Sequence, residues 1–410
     1  MPIALALSYL ALTAARILLS SLNLSHLRRH AAELPPEFEG VVDRATLERS
    51  ARYTVERTRV GVVTSLLWAL IVLGFVFGGG LAAYDRFVAG LSGSFVWSGV
   101  IFVVGLGLLS ALVELPISAY SAFGVEARFG FNRMTKALFL TDWLKSTLIG
   151  AVISALLAAG ALGLVSAAPE LYWLFAWLFF SAFSLFLIFV SPYVIEPLFF
   201  KMKPLGATDL VEEVRALARR VDVELDRVLE VDASRRSSHS NAYFTGLGRV
   251  KRVVLFDTLL QGMTRTEILA VLAHELGHWK LRHITKRLLA TELFMLVGLY
   301  LGALAIGWDG LPALVGLEQA SFAARGLIVA FVASIPAFLL TPLSARWSRD
   351  HERQADDFAR ALTNHPAELA NALLKLSKDN LANLHPHPLY AAFYYSHPPV
   401  IERVRRLRLA

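Results

Sequence analysis

A chain of 410 residues that is 56% hydrophobic is too apolar for an ordinary soluble domain, where about 45 to 50% is usual. It has no cysteine, which excludes disulfides, thiolate catalysis and cysteine-ligated metal sites, so any metal must be held by histidine and carboxylate. The formal charge of +7 sits mainly beside apolar blocks, where membrane topology accounts for it, and no nucleic-acid partner is expected.

In chain order, the first apolar stretch covers residues 3–22; it lacks a preceding basic segment and contains Arg16, which favours a retained helix over a cleaved signal. Further stretches long enough to cross a bilayer, about 20 helical residues, lie at 60–83, 94–119, 146–167, 171–191, 288–307 and 323–342. The loop after the first span carries Arg28, Arg29, Arg44, Arg49, Arg52, Arg57 and Arg59, and the loop after the third carries Arg128, Arg133, Lys136 and Lys145. The intervening loops hold almost no basic residues, so the positive-inside rule places the N-terminus outside and the C-terminus in the cytoplasm. Arg16 and Glu114 fall within or at the edge of spans, where a charge faces protein or water rather than lipid.

Two polar segments, 200–287 and 344–410, then share the cytoplasmic side and are expected to form one small α+β domain, with 1–199 and 288–343 as the membrane body. In the first segment, KPLGATDLVEEVRALARRV reads as a helix, RVLEVDA as a strand, and NAYFTGLGRVKRVVLFD as a hairpin turned at Gly246 to Gly248. The strand bearing Asn241, Ala242 and Tyr243 offers either an ordinary sheet edge or one that pairs with an extended peptide substrate. Thr264 and Glu267 form a capping-box pattern that opens a helix through HELGH at 274–278.

On that helix His274 and His278 are one turn apart and can direct both imidazoles at one ion, with Glu275 placed to take a proton from an activated water. A zinc site needs a third protein ligand. SRDHERQADDFARAL at 348–362 provides it: Glu352 as the metal carboxylate, and Asp356, one turn on, as acceptor from a ligand imidazole. Ala355 and Ala359 let this helix pack closely, while His351, the rival ligand, points about 100° away. Near the end, YYSHPPVIERVRRL supplies His397 and Arg403 as candidates to stabilise an oxyanion.

With HELGH, ERQAD, SNAYFTG, SHPPVIERV, EARFGFNRMT at 126–135 and PYVIEPLFF at 192–200, the chain resembles the CAAX prenyl protease 1 family of integral-membrane zinc endopeptidases over nearly its whole length. The resemblance implies an all-α membrane protein of seven helices around a water-filled chamber, carrying a cytoplasmic gluzincin-type zinc protease domain. It also implies one Zn2+ on His274, His278 and Glu352, Glu275 as base, Asp356 behind a ligand, and Asn241, His397 and Arg403 at substrate or transition-state positions. The implied substrate is a peptide or protein, lipid-modified in yeast and animal members. The short links before HELGH and before Glu352 resemble a bacterial member, and hence a location in the bacterial inner membrane. A membrane quality-control protease of the heat-shock type is the nearest alternative, and has about four spans; a transporter would leave HELGH unexplained.

Overall fold

The computed structural model describes residues 1–245 and 251–409, and the turn expected at Gly246 to Gly248 lies outside them. The chain begins with α1 (Pro2–His30), α2 (Arg44–Phe77), α3 (Gly80–Leu91), α4 (Phe95–Tyr120), α5 (Lys136–Ala167), α6 (Tyr172–Val194) and the single turn α7 (Glu196–Phe199). The polar segment that follows folds as β1 (Met202–Pro204), α8 (Thr208–Arg219), β2 (Arg227–Val231), β3 (Ala242–Thr245), β4 (Arg252–Phe256), α9 (Asp257–Gly262) and α10 (Arg265–Lys280). Then come α11 (His283–Gly307), α12 (Phe322–Thr363), α13 (Pro366–Asp379), α14 (Pro388–Tyr394) and α15 (Val400–Leu409).

Seven helices, α1, α2, α4, α5, α6, α11 and α12, are long and apolar enough to cross a bilayer, and each overlaps one of the seven predicted spans. Side-chain caps fix several starts: Asp43 accepts from the Thr46 amide, Ser94 from Trp97, Thr135 from Leu138 and Ser321 from Ala324. The second predicted span, 60–83, is cut short, because Gly79 at φ +86° ends α2 and starts the separate helix α3. At most 17% of the most apolar window in any of the seven is buried. A tightly packed bundle would hide a stripe about 100° wide, over a quarter of each helix. The helices instead enclose open space. One cavity of about 600 Å3 is lined by polar groups including Arg16, Ser20, Asn23, Arg57 and Thr58, as befits a water-filled chamber. Arg16 thus faces this chamber, and Glu114 accepts from Trp68 Nε1 at 3.2 Å beside a second cavity.

The sheet has the order β1-β2-β4-β3, with β2 parallel to β4 and the two outer pairs antiparallel. β1 was not foreseen, since three residues ending in Pro204 carry no alternating pattern. One face of the sheet and α8, α10, α13 and α15 share a core that includes Val228, Val253, Leu272, Leu276, Leu374 and Val404. Phe38 and Val42, from the connection between α1 and α2, and Leu47, in the first turn of α2, complete that same core.

α12 has no boundary where hydropathy ends at residue 342. Its 42 residues run about 63 Å, roughly twice the bilayer core of about 30 Å, with Pro336 and Pro342 inside it. Its apolar half crosses the membrane and its polar half lies against α10, so one helix joins the chamber to the folded domain.

Phe38 is fully buried in that core although it belongs to a membrane-side connection. Phe38→Ala should therefore cost about 3–5 kcal/mol, seen as a lower unfolding midpoint of the detergent-solubilised protein. An unchanged midpoint would detach the connection from the core.

Candidate metal centre

α10 is started by Thr264, whose side chain accepts from the Glu267 amide while the Glu267 carboxylate accepts from the Thr264 amide. Lys375 of α13 clamps Glu267 at 2.7 Å. With its start fixed, α10 turns Leu272, Ala273 and Leu276 into the core and His274 and His278 toward α12. The two helices touch at Gly277, where a Cβ would stand 3.1 Å from Ala355 Cα and 3.2 Å from the Ala355 carbonyl oxygen. Ala355 and Ala359, both almost wholly buried, are the small residues opposite.

That approach brings the ligand-type atoms of His274, His278 and Glu352 within 4.8 Å of one another. Glu352 reaches His274 Nε2 at 3.3 Å through Oε2 and His278 Nε2 at 3.2 Å through Oε1. The two Nε2 atoms are 3.2 Å apart. A proton between them serves only one, whereas a cation can serve both. Glu352 Oε2 is buried without a hydrogen-bond partner, an acceptor that an ion would satisfy. Two imidazoles and one carboxylate are the donor set of a divalent metal, and the residues fit one.

Behind His274, Asp356 accepts from Nδ1 at 2.8 Å, which directs Nε2 toward the cluster. Asp356 is in turn held by Arg403, through Nε at 2.8 Å and Nη2 at 2.6 Å. Burial alone would lower the basicity of His274, but the carboxylates of Asp356 and Glu352 outweigh it and push the imidazole up to about 9. Such a ring attracts a proton or a metal strongly. Glu275, partly buried next to the two histidines, has its carboxyl pushed up by burial, partly offset by their charge.

His278 has its own support, which the sequence reading missed. Its Nδ1 is 3.1 Å from His283 Nδ1, and the far nitrogen of His283 meets Gln354 Oε1 at 3.1 Å. The His283 ring stacks on His351 at 4.0 Å and 6°, so His351 packs beside the support and is not among the converging atoms. The available signal was the spacing HELGHWKLRH together with Gln354, three residues after His351 and so on its helical face.

His397 stands at the open side, with Nε2 3.4 Å from Glu352 Oε1, and is solvent-exposed. Arg403 is buried and committed to Asp356, at 7% exposure, so it reaches the cluster from behind rather than from the open side. Asn241 precedes β3, its Oδ1 accepting from the Ala242 amide. β3 is an edge strand lying against α10: Ala242 faces the shared core, whereas Tyr243 points to the opposite face of the sheet and donates to Glu196 at 3.3 Å.

A hollow seven-helix membrane body with this donor set held over it defines an integral-membrane metallopeptidase. Residues 23–201 match the CAAX prenyl protease N-terminal family, described as five membrane helices, and residues 204–410 match peptidase family M48. A CAAX prenyl protease 1 homolog from Arabidopsis thaliana is 33% identical, over 91% of this chain and 90% of the relative. The homolog from Homo sapiens is 32% identical over 92% and 88%. The crystal structure of S. mikatae Ste24p superposes with a TM-score of 0.89 at 30% identity, covering 98% of each chain. The chain belongs to the CAAX prenyl protease 1 family of M48 metallopeptidases, as its motifs led us to expect, and its substrate is a peptide or protein.

The crossing at Gly277 yields a structural prediction. Gly277→Val pushes against the α12 backbone and should cost about 1–3 kcal/mol by overpacking, more than the roughly 1 kcal/mol that leaving glycine returns to a helix. Thermal unfolding of the purified protein measures it, and a raised midpoint would refute the close approach.

Proposed function

We propose that this chain is a zinc endopeptidase that cleaves lipid-modified peptides, with His274, His278 and Glu352 as the metal ligands. The observation that carries the reading is the convergence of these three residues from two helices with a partly buried Glu275 beside them. The names of the relatives, which are CAAX prenyl proteases, suggest the substrate class. Residues 200–287 and 344–410 act as one protease domain, separated in sequence by the last two spans. The N-terminus lies outside and this domain in the cytoplasm, in a bacterial inner membrane, as the basic loops favour.

A bound zinc ion supplies Lewis acidity to the scissile carbonyl and to the attacking water. Glu275 takes the proton of that water and delivers it to the leaving amine. Asp356 keeps His274 in the tautomer that presents Nε2, and Arg403 keeps Asp356 ionised and fixed. His397, on the open side, donates to the developing oxyanion. The peptide lies extended along the edge near Asn241, Ala242 and Tyr243, where free β3 backbone groups set its register; the Tyr243 ring supports the strand from its far face.

Peptide cleavage by the purified full-length protein, with bound metal quantified, tests the roles. Glu275→Gln should keep its ion and lose about 10²–10⁴-fold in rate, whereas Glu352→Ala should lose the ion. Wild-type rates in Glu275→Gln would remove Glu275 as the base. Because a raised carboxyl must ionise before it can act, activity is present above its pKa and lost as pH falls through it. The acid limb of kcat/KM should accordingly stand above the ordinary glutamate value of about 4.3; a limb at or below that value contradicts the assignment.

Recognition of lipid is a separate question, answered by a farnesylated CAAX peptide and its unlipidated twin. The lipidated peptide should show the higher kcat/KM, and equal values would make this a peptidase of broad specificity.

A further inference from the structure

At the C-terminal end of α1, away from the catalytic cluster, four histidines meet. His26 and His30 lie one turn apart on α1, and His385 and His387 belong to the connector between α13 and α14. The connector is docked on α1 by Asn23, which is 2% exposed and whose Oδ1 accepts from the His387 amide at 3.0 Å and from Asn383 Nδ2 at 3.4 Å.

Ring centroids are 4.3 Å apart for His26 and His30, 5.7 Å for His30 and His385, and 5.5 Å for His26 and His387. Two imidazoles bound to one ion at about 2.1 Å have centroids roughly 5 Å apart. The catalytic pair His274 and His278 stands at 4.9 Å. In the second cluster the His26–His30 and His30–His385 pairs lie on either side of that spacing, with no carboxylate among the rings.

Hydrogen bonds to carbonyl oxygens fix the tautomers. His30 Nδ1 donates to the His26 carbonyl at 2.9 Å, so its Nε2 carries a lone pair. His385 Nε2 donates to the Glu33 carbonyl at 2.7 Å, which leaves Nδ1 as a bare acceptor. Anchoring the far nitrogen on a backbone carbonyl is how proteins orient metal-binding histidines. His26 has no ring hydrogen bond among the described residues; its ring packs against those of His30 and His387. His387 differs: its Nδ1 accepts from the Leu389 amide at 3.2 Å and caps α14, which leaves it a supporting neighbour.

We propose that His26, His30 and His385 form a second metal centre, an all-imidazole site for a borderline divalent cation such as Zn2+, Ni2+ or Cu2+. The catalytic trio is the one group among the described residues whose ligand atoms already lie within 4.8 Å; the proposed site requires the His26 ring to turn toward His385 when an ion binds. An ion there would staple the connector to the first membrane helix. That connector leads through α14 to His397 and to Arg403 on α15, so the bound ion would fix the position of the catalytic segment relative to the chamber wall.

The test uses full-length protein in detergent, stripped with chelator, equilibrated with Zn2+, gel-filtered and analysed for metal. Wild type should hold two ions and have a higher unfolding midpoint at two equivalents than at one. The double variant His30→Ala/His385→Ala should hold one ion and still cleave peptide, and Glu352→Ala should hold one ion that resides in the imidazole site. His385→Gln, a milder change, should weaken the second ion at least tenfold and gives the same readout if the double variant does not fold. Wild type holding a single ion, or the double variant still holding two, would overturn the proposal.

Discussion

The crossing of α10 and α12 at Gly277 and Ala355 is the contact on which the rest depends. Side chains on two helices usually meet over axes 8–10 Å apart; here the backbones come close enough that a Cβ on Gly277 would stand 3.1 Å from Ala355 Cα. Glycine on one helix and alanines on the other remove the Cβ bulk that would hold the axes apart. Leu272 and Leu276 on the adjacent face of α10 lock that depth from the core side, so the geometry is set by packing and not by the polar residues themselves.

The polar residues would otherwise repel. Glu275, Glu352 and Asp356 are three carboxylates crowded around two imidazoles, and Arg403 is the one guanidinium among the described residues that enters the cluster. Three negative charges against one positive leave two, the complement of a divalent cation when the histidines are neutral. In a buried setting an unbalanced charge costs several kcal/mol. The position of Arg403 behind His274 therefore matters as much as its charge: it neutralises Asp356 without occupying the face toward which both Nε2 atoms point.

The convergence of His274, His278 and Glu352 was legible in the sequence because its logic is local. His274 with His278, and Glu352 with Asp356, each repeat at one helical turn, and helical periodicity is robust to tertiary context. The role of Arg403 was not legible, since its partner lies 47 residues away and is met only when α15 docks. Likewise His283 becomes a support for His278 only because Arg282 adopts φ +57°, a left-handed turn that folds α11 back from α10. No propensity favours that conformation for arginine. Hydropathy located the seven spans but set the wrong meaning on their ends, because it reports where the chain leaves lipid and not where a helix stops. α2 begins well before its apolar run and α12 continues well past its own.

The continuity of α12 gives the membrane a direct part in the chemistry. A helix that bore Glu352 on a separate segment, joined by a loop to the seventh span, would let the catalytic domain tilt against the chamber. A single 42-residue helix resists such bending, since each turn is held by its own backbone hydrogen bonds. Phe38, between α1 and α2, and Leu47, in the first turn of α2, enter the same core. The domain is thereby attached at two separated points of the ring. Glu352 therefore shares one helix with the seventh span, whereas His274 and His278 are separated from the sixth span by the left-handed turn at Arg282.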